Sequence, residues 1–272
     1  MIEARRSRLA TPPPTALSSP RATPLAAPTK FRPCAVIPTY DNLSAVAEVV
    51  RRVRVHLTDI LVVDDGGAAP SRDIVAELAR DGLAIALHRP VNGGKGAAVK
   101  TGLAEAQARG FSHALQIDGD GQHDLDQVPT FLEAARAHPT AVILASPIYG
   151  PTAPKARLKA RKITKFWVDV ETGGAVIDDA MVGFRVYPVA STLACGAKGE
   201  RMEFDIEVAV RLAWAGVPVV NLPVAVRYLT AEEGGISHFR MVRDNVLISW
   251  LHTRLTTLAI FRWLLRPFRR FA

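Results

Sequence analysis

The sequence predicts an α/β protein built on a mostly parallel, Rossmann-like sheet with helices on both faces. Three observations predict it. Apolar runs of four or five residues, short enough to be strands, recur from Cys34 to Ala145. Stretches with apolar residues at helical spacing alternate with them. Each strand-like run ends in a turn rich in Gly, Pro, Asp or Asn. Buried strands alternating with amphipathic helices are the pattern of a parallel sheet covered on both sides.

The elements follow in order. Cys34–Ile37 is a buried strand stopped by Pro38. Asn42 to about Val55 is a helix, because Leu43, Val46, Val49, Val50 and Val53 recur every three or four residues. Ile60–Val63 is a second strand, ended by Asp64-Asp65-Gly66-Gly67. A helix over Ser71–Arg80 carries Ile74, Val75 and Leu78 on one side, and Leu83–Leu87 is a third strand. Asn92-Gly93-Gly94-Lys95-Gly96 is a glycine-rich turn into a helix that ends near Arg109. Ala114–Ile117 is a fourth strand, Leu125–Ala137 a helix and Ala141–Ala145 a fifth strand.

Ligands of open parallel sheets sit outside the carboxyl ends of the strands. Three acidic clusters fall there: Asp41 after the first strand, Asp64 and Asp65 after the second, and Asp118 and Asp120 after the fourth. In an extended segment the side chains of Asp118 and Asp120 face the same way. Two such carboxylates repel unless a cation joins them, and Mg2+ or Mn2+ suits hard oxygen ligands and keeps room for substrate phosphates. Gln122 adds an amide oxygen. An acidic helix cap is the alternative, but Asp124 can cap the following helix by itself. The Asn92–Gly96 turn precedes a helix N-terminus, where free N–H groups and Lys95 suit an anion or a ribose. It lacks the GK[ST] ending of a P-loop.

These motifs, in this order, resemble glycosyltransferase family 2, nearest its polyprenyl-phosphate mannosyl- and glucosyltransferases. The residues that carry the resemblance are Ala35-Val36-Ile37-Pro38-Thr39-Tyr40, Val62-Val63-Asp64-Asp65-Gly66, Asn92-x-Gly-Lys-Gly-x-Ala, Gln116-Ile117-Asp118-x-Asp120-x-Gln122-His123 and Asp179-x-x-x-Gly183-Phe184-Arg185. The resemblance spans roughly Pro33 to Ser237. It implies a GT-A fold and an inverting transfer from a nucleotide-diphospho-sugar. It places Pro38, Tyr40, Asp41, Asp64, Lys95, Asp118 and Gly119 at the nucleotide-sugar, and Asp118, Asp120 and Gln122 on Mg2+ or Mn2+. Arg185 is expected to neutralise phosphate charge, and Asp179 matches the family's acid. The Ser-Lys that often follows the core is replaced by Ser237-His238-Phe239-Arg240.

The organisation implied is a disordered Pro-, Ala- and Arg-rich tail over 1–30, a catalytic domain over 31–237 and a C-terminal helical segment over 238–272. Met1–Lys30 has no continuous apolar stretch, so it is neither a signal peptide nor foldable alone. Two cysteines without a CxxC pair argue against a disulfide framework or structural zinc and read as small buried hydrophobes. A net charge of +8 suits anionic partners. Nucleic acid is disfavoured, since aromatics are 7% and form no stacking array.

The second half is less determinate. The basic stretch from Pro151 to Lys165 is either a solvated helix face or a surface for phosphates or lipid headgroups. Glu203 or Asp205 is a candidate for facing the acceptor, with Ser237, His238 and Arg240 as further acceptor or phosphate contacts; Asp205 read as a helix cap is the rival. Asn245–Ala272 combines Trp250, Phe261 and Trp263 with five arginines and has no uncharged run near the ~20 residues that cross a bilayer. It is expected either to lie at an anionic membrane surface or to pack on the core. The functional expectation is sugar transfer to a lipid or polyprenyl-phosphate acceptor by a peripheral protein on the cytoplasmic face. A sugar-phosphate nucleotidyltransferase and a non-enzymatic membrane-associated nucleotide-sugar-binding protein are the alternatives. The former expects a glycine-rich loop after the first strand, where Pro38-Thr39-Tyr40 stands.

Overall fold

A computed structural model describes residues 30–42, 45–150, 153–174, 176–226 and 240–265. The expectation of a disordered tail over 1–30 falls almost wholly outside them, as do Ser237 and His238. Seven strands form one sheet: β1 (Pro33–Thr39), β2 (Ile60–Asp64), β3 (Ile85–His88), β4 (His113–Ile117), β5 (Val142–Tyr149), β6 (Phe184–Pro188) and β7 (Val219–Val226). Their order is β3-β2-β1-β4-β6-β5-β7. The helices are α1 (Val46–Arg54), α2 (Ala69–Arg80), α3 (Lys95–Ala108), α4 (Val128–Ala137), α5 (Lys155–Thr172), α6 (Val189–Ala194), α7 (Phe204–Trp214) and α8 (Met241–Leu264).

The two-residue period of each strand divides the core. Cys34 and Val36 of β1, with Leu61 and Val63 of β2, point to the face covered by α3, α7 and α8. Ala35, Ile37, Ile60 and Val62 point to the face covered by α1, α2 and α4. Helix α1 meets its face through Val46, Val49, Val50 and Val53, the spacing the sequence displays. These strands are buried on both sides, which is why they read as unbroken apolar runs.

The sheet is mixed at one strand. β6 runs antiparallel to both β4 and β5, while every other pairing is parallel. The chain returns to the rim before β6, so Phe184 lies opposite Ile117 and Gly183 beside Asp118. Parallel register sets Thr39 against Asp64, and the carboxyl ends of β1, β2 and β4 therefore share one rim.

Helix α8 belongs to the core. Ile248, Leu251 and Leu255 are buried within the same cluster as α7 and β1. Two arginines of α8 have defined partners in the core-facing contacts. Arg254 binds Glu207 of α7 at 2.7 Å, and Arg262 donates to the Trp214 carbonyl at 2.9 Å and lies over the Trp214 ring. Burial would raise the Glu207 pKa, but the Gly199 N–H, Arg211 and Arg254 outweigh it and hold the carboxyl below its ordinary range. His252 of α8 meets Glu171 of α5 at 2.8 Å, both side chains buried.

Candidate active site

The rim is built from groups that hold one another. Asp65, just past β2, accepts from the Gly93 and Gly94 N–H groups at 3.1 and 2.6 Å and pairs with Arg89 at 2.8 Å. This fixes the glycine turn, whose Gly94 adopts φ 102°, a conformation open to glycine. The turn sets Lys95 as the first residue of α3, with its ammonium 2.7 Å from both Asp118 and Asp205. Burial would lower the Lys95 pKa, but the two carboxylates outweigh it and push it up to about 12. Asp118, part-exposed at the cavity, is held below the usual carboxylate range by Lys95 and His123. Asp120 is displaced upward, by burial first and by the Asp118 charge second.

Asp118 and Asp120 therefore repel, and of the two Lys95 pairs directly with Asp118. That imbalance fits a divalent cation, with the Gln122 amide beside it and the remaining positions left to water and phosphate oxygens. Among the described residues no three acidic, His or Cys side chains form a closed cage. Mg2+ and Mn2+ bind through one or two carboxylates plus substrate phosphates and do not need such a cage. Gly183 completes the rim: a Cβ there would overlap the Asp118 carboxylate.

A cavity of about 1210 Å³ opens on this rim. Pro38, Tyr40, Lys95, Asp118, Gly119, Asp120, Gln122, Asp205 and Arg240, all anticipated from sequence, line it. It continues between α5 and α8, past Arg157, Arg161 and Trp167 on one side and Arg243, Ser249 and His252 on the other.

Residues 34–188 match the family described as Glycosyl transferase family 2. The chain belongs to that family. As a family 2 glycosyltransferase it is 31% identical over 231 residues to a polyprenol monophosphomannose synthase of Mycolicibacterium smegmatis, an alignment covering 79% of this chain and 83% of the relative. It is 28% identical over 207 residues to an undecaprenyl-phosphate mannosyltransferase of Micrococcus luteus, covering 71% and 83%. These relatives put it in the polyprenyl-phosphate branch. Among solved structures it resembles glucosyl-3-phosphoglycerate synthase from Mycobacterium tuberculosis in complex with UDP, at TM-score 0.61 and 13% identity over 84% of this chain and 80% of that one. The same enzyme in complex with Mn2+ and UDP-glucose superposes at TM-score 0.58 and 15% identity, covering 82% and 79%. That likeness establishes the GT-A type of fold.

Within this glycosyltransferase, five anticipated residues lie away from the cavity lining. Arg185, expected to neutralise phosphate charge, does not line the cavity. It is 0% exposed, and its guanidinium donates to the carbonyls of Val182, Ala180 and Asp205. It is the second residue of β6, which lies between β4 and β5. Asp179 does not line the cavity. It binds the Arg161 guanidinium at 2.7 and 2.9 Å and accepts from the Met181 and Val182 N–H groups. Asp41 and Asp64 are turn-formers: Asp41 accepts from Ala68 N–H at 2.7 Å, and buried Asp64 accepts from Gly67 N–H at 3.1 Å. Asp65, one residue on and so on the opposite side of the strand, is the member of that pair that lines the cavity.

Glu203 turns away too, accepting from the Glu200 and Arg201 N–H groups ahead of α7. Asp205 is no cap; it lies inside the first turn of α7, 2% exposed, with its carboxylate on Lys95. Sequence reasoning missed Arg157, Arg161 and Arg243 as cavity residues. The unbroken basic stretch Pro151–Lys165 carried the signal for the first two, but helical phase decides which of its cations face inward.

Proposed function

We propose that this glycosyltransferase moves a sugar, with inversion, from a nucleotide-diphospho-sugar to a polyprenyl-phosphate or related lipid phosphate, using Mg2+ or Mn2+, at an anionic membrane surface. One observation carries the reading: a single cavity joins the acidic rim of Asp118 and Asp120 to the arginine-lined cleft between α5 and α8. The names of the relatives, a polyprenol monophosphomannose synthase and an undecaprenyl-phosphate mannosyltransferase, support the acceptor class. The complexes of the structural neighbour with Mn2+ and UDP-glucose support the donor and the metal.

The chemistry follows from the charges. A divalent ion held by Asp118, Asp120 and Gln122 supplies neutralisation of the diphosphate that leaves. Arg161, kept in place by Asp179, and the neighbouring Arg157 hold the acceptor phosphate. Its oxygen lone pair forms the bond to the anomeric carbon from the side opposite the diphosphate. The bond from that carbon to the β-phosphate oxygen breaks, and its electron pair leaves with the nucleoside diphosphate. An acceptor that is already anionic needs no general base, which accords with Asp179 being bound to an arginine. The exposed Ile163, Phe166 and Val170 of α5 and Val246, Trp250 and Trp263 of α8 are the apolar groups available to a membrane.

The test is release of free nucleoside diphosphate from UDP-, GDP- and dTDP-sugars, with Mn2+ and polyprenyl phosphate in vesicles. One donor should release nucleotide only when polyprenyl phosphate is present, and a sugar-bearing lipid should form in equal amount. Release that ignores the lipid, or occurs undiminished in chelator, overturns the reading.

A further inference from the structure

Lys95 is placed between two carboxylates that differ in freedom. Asp205 is fixed. Its Oδ1 accepts from Gln116 Nε2 at 3.1 Å, Gln116 Oε1 accepts from the Tyr187 hydroxyl at 3.0 Å, and the Asp205 carbonyl accepts from Arg185 at 2.8 Å. All four residues are buried. Asp118 sits past the end of β4 and is part-exposed at the cavity, and its other neighbour is His123, 3.7 Å away. The Lys95 ammonium, 2.8 Å from Asp118 Oδ2 and 2.7 Å from Asp118 Oδ1 and Asp205 Oδ2, thus has one anchored partner and one that can turn.

Resting on the donor-site reading above, we infer that Lys95 is an internal placeholder that makes binding of the cation and of the nucleoside diphosphate depend on each other. In the donor-free protein its ammonium holds Asp118. When the donor binds, Lys95 pivots on Asp205 and transfers the N–H donors that faced Asp118 to a diphosphate oxygen. Asp118 is then released toward the cation. Neither ligand completes the exchange alone. A cation by itself must strip Asp118 from Lys95 and leave a buried ammonium short of a partner. A diphosphate by itself takes the ammonium and leaves Asp118 beside Asp120 without compensation. An ammonium has three donors and no acceptor, so it can serve Asp205 and a phosphate together.

The coupling is measurable without turnover. Mn2+ is titrated by calorimetry into the full-length protein alone and at saturating UDP or GDP, whichever binds, for wild type and Lys95→Met. In the wild type the nucleotide should tighten Mn2+ binding by at least about tenfold, within the usual range of coupling between sites. In Lys95→Met that factor should shrink about tenfold, because Mn2+ alone binds more tightly once no ammonium holds Asp118. A lysine that merely contributes a fixed positive field would change Mn2+ affinity equally with and without nucleotide. An unchanged coupling factor therefore overturns the inference while leaving the donor site in place. Wild-type protein that binds neither Mn2+ nor either nucleotide overturns the donor-site reading and the inference with it. Should Lys95→Met fail to fold, a crystal structure of the wild type with Mn2+ and the nucleotide decides. Lys95 Nζ should lie on a diphosphate oxygen and on Asp205, beyond hydrogen-bond reach of Asp118. An ammonium still shared by Asp118 and Asp205 in that complex refutes the exchange.

Discussion

The two ends of the cavity are built on opposite plans. At the sheet rim, polar side chains are tied down by near neighbours: Asp65 by two backbone N–H groups, Lys95 by Asp118 and Asp205, and Asp205 of α7 by Gln116. In the cleft, α5 and α8 come together from distant parts of the chain. They meet through few polar anchors, chiefly His252–Glu171, and leave large apolar side chains exposed. A rigid polar end suits a donor whose departing charge must meet preorganised partners. A looser apolar end suits an acceptor with a long hydrocarbon part. One cavity is thus charge-matched at one end and surface-matched at the other.

The largest effect should come from breaking the rim. Asp120→Ala removes one of the two carboxylates offered to the cation, at a site outside the core. Transfer should fall on the order of 10³-fold or more, and Mn2+-dependent nucleotide binding should be lost with an unchanged circular dichroism spectrum and melting temperature. Near-wild-type turnover in this variant would remove the metal from the rim.

Arg185 sharpens the comparison differently, because its duty is architectural. Arg185→Leu strips three buried carbonyls of their donor, a loss of about 3 kcal/mol if each lost bond costs about 1 kcal/mol. That corresponds to a melting temperature lower by roughly 10 °C. Whatever fraction remains folded should bind nucleotide nearly as well as the wild type. Lost nucleotide affinity with unchanged thermal stability would restore the phosphate role expected from sequence.

The third test lies where the two ends meet. Asp179→Asn keeps one oxygen for Arg161 but loses the charge, weakening a charge-assisted pair by roughly 1.5 kcal/mol. The expected result is about a tenfold rise in KM for polyprenyl phosphate, with donor KM and turnover at saturation little changed. Collapse of turnover at saturating acceptor would instead make Asp179 the base.

The same contrast decides what was legible in the sequence. β1, β2 and β4 were legible because strands buried on both faces must be apolar, and their ends then stand out as acidic turns. Asp118, Asp120, Gln122 and the Asn92–Gly96 turn could be placed for that reason. Pairings across the fold were not legible. Nothing near Lys95 announces Asp205, and nothing near Asp179 announces Arg161, since Asp205 reaches Lys95 from α7 and Asp179 meets Arg161 of α5 from the segment before β6. Arg185 reads from sequence as a ligand contact because it is a charged residue in a motif, whereas burial among carbonyls satisfies it equally well. For α8, sequence offered packing or membrane contact as rivals. The helix packs through Ile248, Leu251 and Leu255 while Trp250 and Trp263 remain 65% and 67% exposed.

That division of faces sets the smallest expected effect and the cleanest test of the membrane. Removing α8 would strip three apolar side chains from the core, so loss of vesicle binding on truncation could reflect unfolding alone. Trp250 and Trp263 lie on the outward side, and their replacement leaves the core contacts intact. If the cleft docks on a bilayer, each ring enters the interface while Arg heads stay with anionic phosphates. A partly buried ring contributes ~1 kcal/mol, so Trp250→Ala and Trp263→Ala should each weaken binding to anionic vesicles roughly fivefold. Phe166→Ala on α5 should behave alike, since the proposal treats the two helices as one surface. Binding should weaken with salt, because the arginine contribution is screened. Nucleotide affinity should stay constant in all three variants, as none touches the rim. If the Trp variants bind vesicles as the wild type does, the exposed rings serve another partner, and the lipid must reach the cleft without α8 resting on the membrane.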